Sequence, residues 1–280
     1  MTGRTFIDGK DIYTSFGAFV TEGGYADLAR FPSLKSVEYN DWHEKDGIEP
    51  DLSDPKLDTK EITITFAIRG GKGRTDDMIQ HLSDRASHLF DFREIGLTVN
   101  LRLVSFSPPT VAGDLRLLTI KFADDSPLEG YEYAEPYSSM PQINGYLIDG
   151  RRLSDYGVRL LQGTQASLES MPAVKQNLLR NISGISGAIY DVNGKVTYKS
   201  RNVTLQCLMR APSLTDFWRN RNALLYDLIR PDERVLSASM IGRDFKCFYQ
   251  SMSVNEFIPV NDIWMKFTLT LTVTNDGALL

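Results

Sequence analysis

The sequence holds only two cysteines and three histidines among 280 residues, and this scarcity removes several classes of protein. Cys207 and Cys247 lie in separate strand-like runs with no C-x-x-C, haem or zinc spacing around either, so no disulfide framework or cysteine metal centre is expected. Two buried thiols are the expectation. A disulfide between them stays open if their strands pair in an oxidising compartment. No apolar run approaches the roughly 18 residues of a membrane span. Met1-Thr2-Gly3-Arg4-Thr5 leads straight into a strand-like stretch, so the expected product is made in the cytoplasm without a membrane partner. An excess of positive charge is also missing: 31 Lys and Arg against 36 Asp and Glu leave a net charge of −5. That balance argues against the sequence-independent grip of basic proteins on nucleic-acid phosphates.

Signatures of catalysis are equally scarce. There is no G-x-S-x-G elbow, H-E-x-x-H helix or paired-carboxylate pattern, so no catalytic residue is nominated and no enzyme is expected. Gly70-Gly71-Lys72-Gly73-Arg74 superficially suggests a phosphate loop but lacks the full G-x-x-x-x-G-K-[S/T] pattern, and reads as a flexible strand-to-helix turn. His81, Asp84 and His88 are spaced i, i+3, i+7 on an expected helix whose buried side is set by Leu82, Ala86 and Leu89. They read as a solvated helix face, and neither a metal nor a cofactor is expected. Trp42 and Tyr131 are candidates for sugar contact, although core or docking roles are commoner.

What is present is a repeat. Phe6-Ile7-Asp8-Gly9 with Phe16-Gly17 returns as Leu147-Ile148-Asp149-Gly150 with Tyr156-Gly157. Phe31-Pro32-Ser33-Leu34-Lys35 returns as Met171-Pro172-Ala173-Val174-Lys175 at an offset of 172 − 32 = 140, and Gly47 returns as Gly187. The run 62–69 aligns with 203–210. Shared order at a nearly constant offset is the mark of a duplicated unit.

Each unit reads as strands, one helix, then more strands. In the first, Thr75-Asp76-Asp77 caps a helix through Met78, Ile79, Leu82, Ala86, Leu89 and Phe90, and the runs 97–106 and 115–122 are strands. In the second, Ser213 caps a helix carrying Leu214, Phe217, Trp218, Leu224, Leu225 and Leu228 that Pro231 stops. The strands 235–240, 245–254 and 264–273 follow. Alternation such as Ile62, Ile64, Phe66 against Thr63, Thr65 predicts one buried and one polar face. The expected fold class is mainly β (α+β), as two tandem β-sandwich or barrel domains with one helix each. Their expected spans are 1–123 and 146–280, joined by an extended, Pro-containing linker, 124–145, docked on a surface.

On these residues the chain resembles the ring domain of phage distal tail proteins, similar in plan to tail-tube proteins. The carrying features are the I-D-G strand with its aromatic-Gly, the Pro-containing strand, the hairpin glycines Gly47 and Gly187, the strand ending in Arg, and the helix. Ile182-Ser183-Gly184-Ile185-Ser186-Gly187 through Ser200-Arg201-Asn202-Val203-Thr204-Leu205 is the clearest stretch, matched by Lys45-Asp46-Gly47 through Glu61-Ile62-Thr63. The resemblance implies a virion structural component, made in a bacterial host and resident in the tail of a phage or prophage particle. It implies a homo-oligomeric ring that joins tail tube to tail tip or baseplate, with neighbouring tube and tip proteins as partners and DNA passing through unbound. Many distal tail proteins add an unrelated domain to one ring domain. A doubled ring domain would instead close a pseudo-sixfold ring from three chains, with a hexamer giving a doubled or layered ring. A carbohydrate- or receptor-binding β-sandwich is the alternative.

Charge separates the two copies. Between residues 41 and 61 the first carries eight acidic residues against Lys45, Lys56 and Lys60; between 180 and 201 the second carries Arg180, Lys195, Lys199 and Arg201 against Asp191 alone. Opposite signs on equivalent elements fix order between neighbours. The candidate assembly residues are therefore Asp46, Glu49, Asp51, Asp54 and Asp58 on one side and Arg180, Lys195, Lys199 and Arg201 on the other. Two solvated hairpins that drifted apart are the plainer alternative.

Overall fold

A computed structural model describes residues 1–176, 179–190 and 194–275; Asp191 lies outside them. The first half runs β1 (Thr5–Ile7), β2 (Lys10–Asp11), α1 (Ile12–Phe16), β3 (Ala18–Val20), α2 (Ala26–Ala29), β4 (Tyr39–Asn40), β5 (Glu49–Pro50), β6 (Lys60–Arg69), α3 (Gly71–Leu82), β7 (Ser87–Phe92), β8 (Leu97–Phe106), β9 (Thr110–Ala112) and β10 (Leu115–Asp124). Its antiparallel sheet has the order β2-β1-β7-β8-β10-β6-β3, with β9 on β10. Alternation explains the long strands. On β6, Ile62, Ile64 and Phe66 are fully buried, whereas Thr63 faces out and Thr65 shares a 3.0 Å hydroxyl contact with Thr119 on β10.

The second half runs β11 (Tyr146–Ile148), β12 (Arg151–Arg152), a 3-10 turn (Leu153–Tyr156), β13 (Val158–Leu160), α4 (Thr164–Glu169), β14 (Leu179–Arg180), β15 (Ile189–Tyr190), β16 (Arg201–Ala211), α5 (Leu214–Leu228), β17 (Arg234–Ala238), β18 (Arg243–Ile258) and β19 (Ile263–Asn275). Its sheet order, β12-β11-β17-β18-β19-β16-β13, matches the first element for element. Three register shifts between β18 and β19 curl this sheet, because each bulge adds a residue to one strand and sharpens its twist. The chain is thus mainly β, with curled antiparallel sheets. Cys207 and Cys247 are buried free thiols on β16 and β18, on opposite sides of β19, where they face Phe267 and Val273. Burial pushes the Cys247 thiol up to about 12.

Three expectations need correction. The plan of one helix per half is too sparse, because short helices flank the long ones. The first long helix starts at Gly71, so the glycine-rich run is its opening turn; Thr75 lies inside it, donating its hydroxyl back to the Gly71 carbonyl at 3.2 Å. That helix ends at Leu82, and Leu89 and Phe90 belong to β7, where strand alternation exposes Leu89 and buries Phe90. Consequently His88 is a fully buried strand residue and His81 lies largely covered at the helix end. They do not form a solvated helix face. The Ser213 cap stands as expected, its hydroxyl accepting the Asp216 N–H at 3.1 Å.

α5 ties the chain together. Residues 125–145 cross it without regular structure: the Asn220 side chain pairs with both backbone groups of Tyr137, at 2.7 and 2.6 Å, and the Tyr133 hydroxyl reaches Asp227 at 3.1 Å. On another face, Trp218 Nε1 donates to the Ile95 carbonyl at 2.5 Å. Arg221, 6% exposed, donates to the carbonyls of Ala29 and Arg30 at the end of α2, with Phe31 stacked 4.9 Å from its guanidinium carbon. Phe31 itself packs against Tyr249 and Phe267 of the second sheet, and the Tyr249 hydroxyl donates to the Pro32 carbonyl at 2.7 Å. Removing Arg221 would strand two buried carbonyls and open a void. Arg221→Ala is therefore expected to lower unfolding free energy by about 3 kcal/mol, read as a shift of the urea midpoint with unchanged slope.

Candidate assembly interface

The hairpin β4–β5 is too short to stand alone, since an isolated two-stranded hairpin is marginal in water. Its loop is held by the second half of the chain. Lys175, 5% exposed, donates to the carbonyls of Trp42, Lys45 and Gly47 at 2.8, 2.8 and 2.6 Å, and its ammonium lies 2.5 Å from the Asp41 carboxylate. The Gly47 and Ile48 N–H groups donate to the carbonyls of Tyr198 and Thr274, at 2.7 and 2.8 Å. Tyr198 N–H donates in return to Asp46 at 2.8 Å, and the Thr197 hydroxyl to the His43 carbonyl at 2.7 Å. Gly47 is obligatory: at φ +71° a Cβ there would lie 1.7 Å from the Thr274 oxygen.

The nominated residues divide. Asp46 belongs to this internal dock. Arg201 is internal too, donating to the Ser167 and Leu168 carbonyls at 2.9 and 2.8 Å and so satisfying the end of α4. Glu49 is tied within its own hairpin by Lys45 and the Trp42 indole, at 2.7 and 3.0 Å, and the Lys45 bond holds its carboxyl below the usual range. Asp51 accepts from Ser53, Asp54 pairs with Lys56, and Asp58 accepts from the Thr59 N–H, all at the surface. Arg180, Lys195 and Lys199 are exposed. The acidic hairpin thus meets the 195–199 segment within one chain. Trp42 stays half-exposed, and Tyr131 packs against Tyr226 with ring centres 5.9 Å apart.

Charge was not the only signal available. Ile182, Ile185 and Ile189 on the β14–β15 hairpin are exposed, and so are Met171, Val174 and Val196. Clustered exposed apolar residues mark association surfaces. The Ile182-x-x-Ile185 spacing was visible in the sequence, but exposure on a two-residue-strand hairpin was not. Lys175 was visible as the repeat partner of Lys35, yet its burial depends on a hairpin more than 120 residues away. The one metal-capable grouping among the described residues joins Asp8, His81 and His88 within 4.8 Å of one another.

No protein-family model matches this chain, and no curated protein matches it. Among solved structures, a match covers 96% of this chain and 98% of the other, at 12% identity and a TM-score of 0.36: the crystal structure of SPP1 Dit (gp 19.1), titled a paradigm of hub adsorption apparatus in phages infecting Gram-positive bacteria.

Lys175→Met keeps the stem of the side chain but leaves three inward-facing carbonyls without their donor. It is expected to cost about 3 kcal/mol and to free the hairpin, which amide exchange at Gly47 and Ile48 would register as a loss of protection relative to β19.

Proposed function

We propose that the chain is a structural subunit of a phage tail or tail-like particle, built from two copies of one ring domain and closing head-to-tail into a ring between tail tube and tail tip or baseplate. The observation that carries this reading is the docked hairpin. In the first half, β4–β5 leaves its own sheet and is received by Lys175, Tyr198 and Thr274 of the second. Among the described residues the equivalent hairpin, β14–β15, has no such cover: Gly187, at φ +89°, has open space around it where Gly47 is in contact, and its isoleucines face solvent.

A receiving surface for it exists on the first half of another copy. The backbone around Lys35 repeats that around Lys175: Lys35 N–H donates to Lys56 and Lys175 N–H to Thr197, both at 2.8 Å, and the bridges Leu34–Leu57 and Val174–Tyr198 correspond. Lys175 is buried under a hairpin, whereas Lys35 is exposed. The signs also agree. The acidic hairpin sits beside Lys195 and Lys199 in the same chain; β14–β15, carrying Arg180, would sit beside Asp54 and Asp58 of the next. Such a contact uses different patches on the two copies, so it repeats around a ring until it closes. Three chains then present six equivalent domains. A net acidic subunit suits a bore through which DNA slides without being held.

Light scattering at high protein concentration and low salt is expected to give a trimer or hexamer, and a persistent monomer there would overturn the ring. Lys35→Glu replaces the ammonium that would gather the hairpin's carbonyls, as Lys175 does, with a carboxylate that repels them. It is expected to weaken association about tenfold or more while leaving the melting temperature of the dissociated chain unchanged.

A further inference from the structure

Asp8 and Asp149 occupy the same place in the two halves, and their surroundings differ in one respect. Each sits in the turn after the first strand of its sheet, with φ of 50° and 49°. Each accepts a backbone N–H through one carboxylate oxygen: Leu89 at 3.0 Å for Asp8, Val235 at 2.8 Å for Asp149. The other oxygen of Asp149 is neutralised by Arg234 at 2.6 Å and Arg230 at 3.3 Å. In the first half the position of Arg234 is taken by His88, whose Nδ1 lies 2.7 Å from Asp8 Oδ2. The nearest guanidinium, Arg85, is exposed and 4.0 Å away.

The ring of His88 is constrained on both sides. Its Nε2 lies 3.1 Å from the Leu82 carbonyl, and since a carbonyl can only accept, Nε2 carries the proton. Nδ1 of the neutral ring then offers a lone pair toward a carboxylate oxygen, and two electron-rich atoms need a cation between them. His81 adds a third. Its side chain is 8% exposed, its Nε2 is 3.7 Å from the same Asp8 oxygen, and that nitrogen is buried without a hydrogen-bond partner. Asp84 lies 3.6 Å from His81 Nδ1, which favours the proton on that nitrogen and leaves Nε2 as a lone pair. A proton on His88 would satisfy the Asp8 contact and leave His81 stranded; a metal ion would satisfy all three groups.

We propose that Asp8, His81 and His88 bind one divalent transition-metal ion, with zinc the best fit to two imidazoles and a carboxylate. The donor type and the outer contacts agree with known requirements: a ligating histidine ordinarily donates its other ring nitrogen to a carbonyl or carboxylate. Bonds of 2.0–2.1 Å in a tetrahedron place ligands about 3.3 Å apart, and the observed 2.7 and 3.7 Å straddle that value. All three donor atoms lie within 4.8 Å of one another, so binding draws them together. The ion pins the β1–β2 turn, the end of α3 and β7 together, in the charge role that Arg234 has in the second half. Its function is structural clamping of the first sheet's edge.

The test uses tag-free, chelator-treated full-length protein titrated with zinc by calorimetry, and with Co2+ read by visible absorption. One zinc per chain is expected at micromolar affinity or tighter, with visible d–d bands for cobalt. At zinc a hundredfold above Kd the melting temperature is expected to rise by about 5 °C. His81→Gln should weaken zinc about tenfold or more and remove the thermal response. Absence of saturable zinc binding, or undiminished binding in His81→Gln, would overturn the proposal. If that variant does not fold, the cobalt spectrum of the unsubstituted protein decides, bands supporting the site and a spectrum of free aqueous cobalt refuting it.

Discussion

The placement of Arg221 is the constraint on which the relation between the two halves depends. A guanidinium cannot be left unpaired in a protein interior, and here its donors are spent on the carbonyls that end α2 while its flat face lies against Phe31 and Trp218. Because α5 belongs to the second half and α2 to the first, satisfying one buried cation sets the position of one sheet against the other. The connecting segment follows the same helix, held by Asn220 and Asp227 rather than by secondary structure of its own. Apolar contacts around Phe31, Tyr249 and Phe267 then seal a junction whose register the polar contacts specify.

Once the sheets are so placed, the end of β19 and the extended segment before β16 come within reach of the first hairpin. Two strands of two residues each cannot supply the energy to order a loop of eight. Lys175 supplies it from outside by gathering three carbonyls and a carboxylate around one ammonium, a charge-assisted arrangement stronger than neutral hydrogen bonds. Among the described residues, the same hairpin in the second half has no such help. That asymmetry, and not the net charge of either hairpin, is what separates the two hairpins among the described residues.

Much of the fold was legible in the sequence because alternation and turn chemistry are local. The long strands β6, β8, β10, β16, β18 and β19 lie where period-two patterning put them, and Ser213 caps α5 as its position implied. The first long helix was misjudged because Ala86, Leu89 and Phe90 continue a helical spacing by coincidence, while the pairing of β7 with β1 and β8 overrides it. The histidines were misplaced for the same reason. The charged residues fared unevenly: type and position mark a side chain as polar, but they do not reveal that Asp46 and Arg201 are consumed by backbone groups inside the molecule while Asp54 and Lys199 remain at the surface.

By itself the sequence determined the strand-rich class, the repeated order of turns, and the glycines on which the hairpins bend, since each follows from backbone conformations that only certain residues adopt. Tertiary structure alone decided which of two equivalent hairpins is docked against the other half, and that Asp8, from a turn near the start of the chain, faces two histidines more than 70 residues later. Contacts of that range arise when sheets close and helices pack, and no local pattern records which distant backbone will arrive to meet a given side chain.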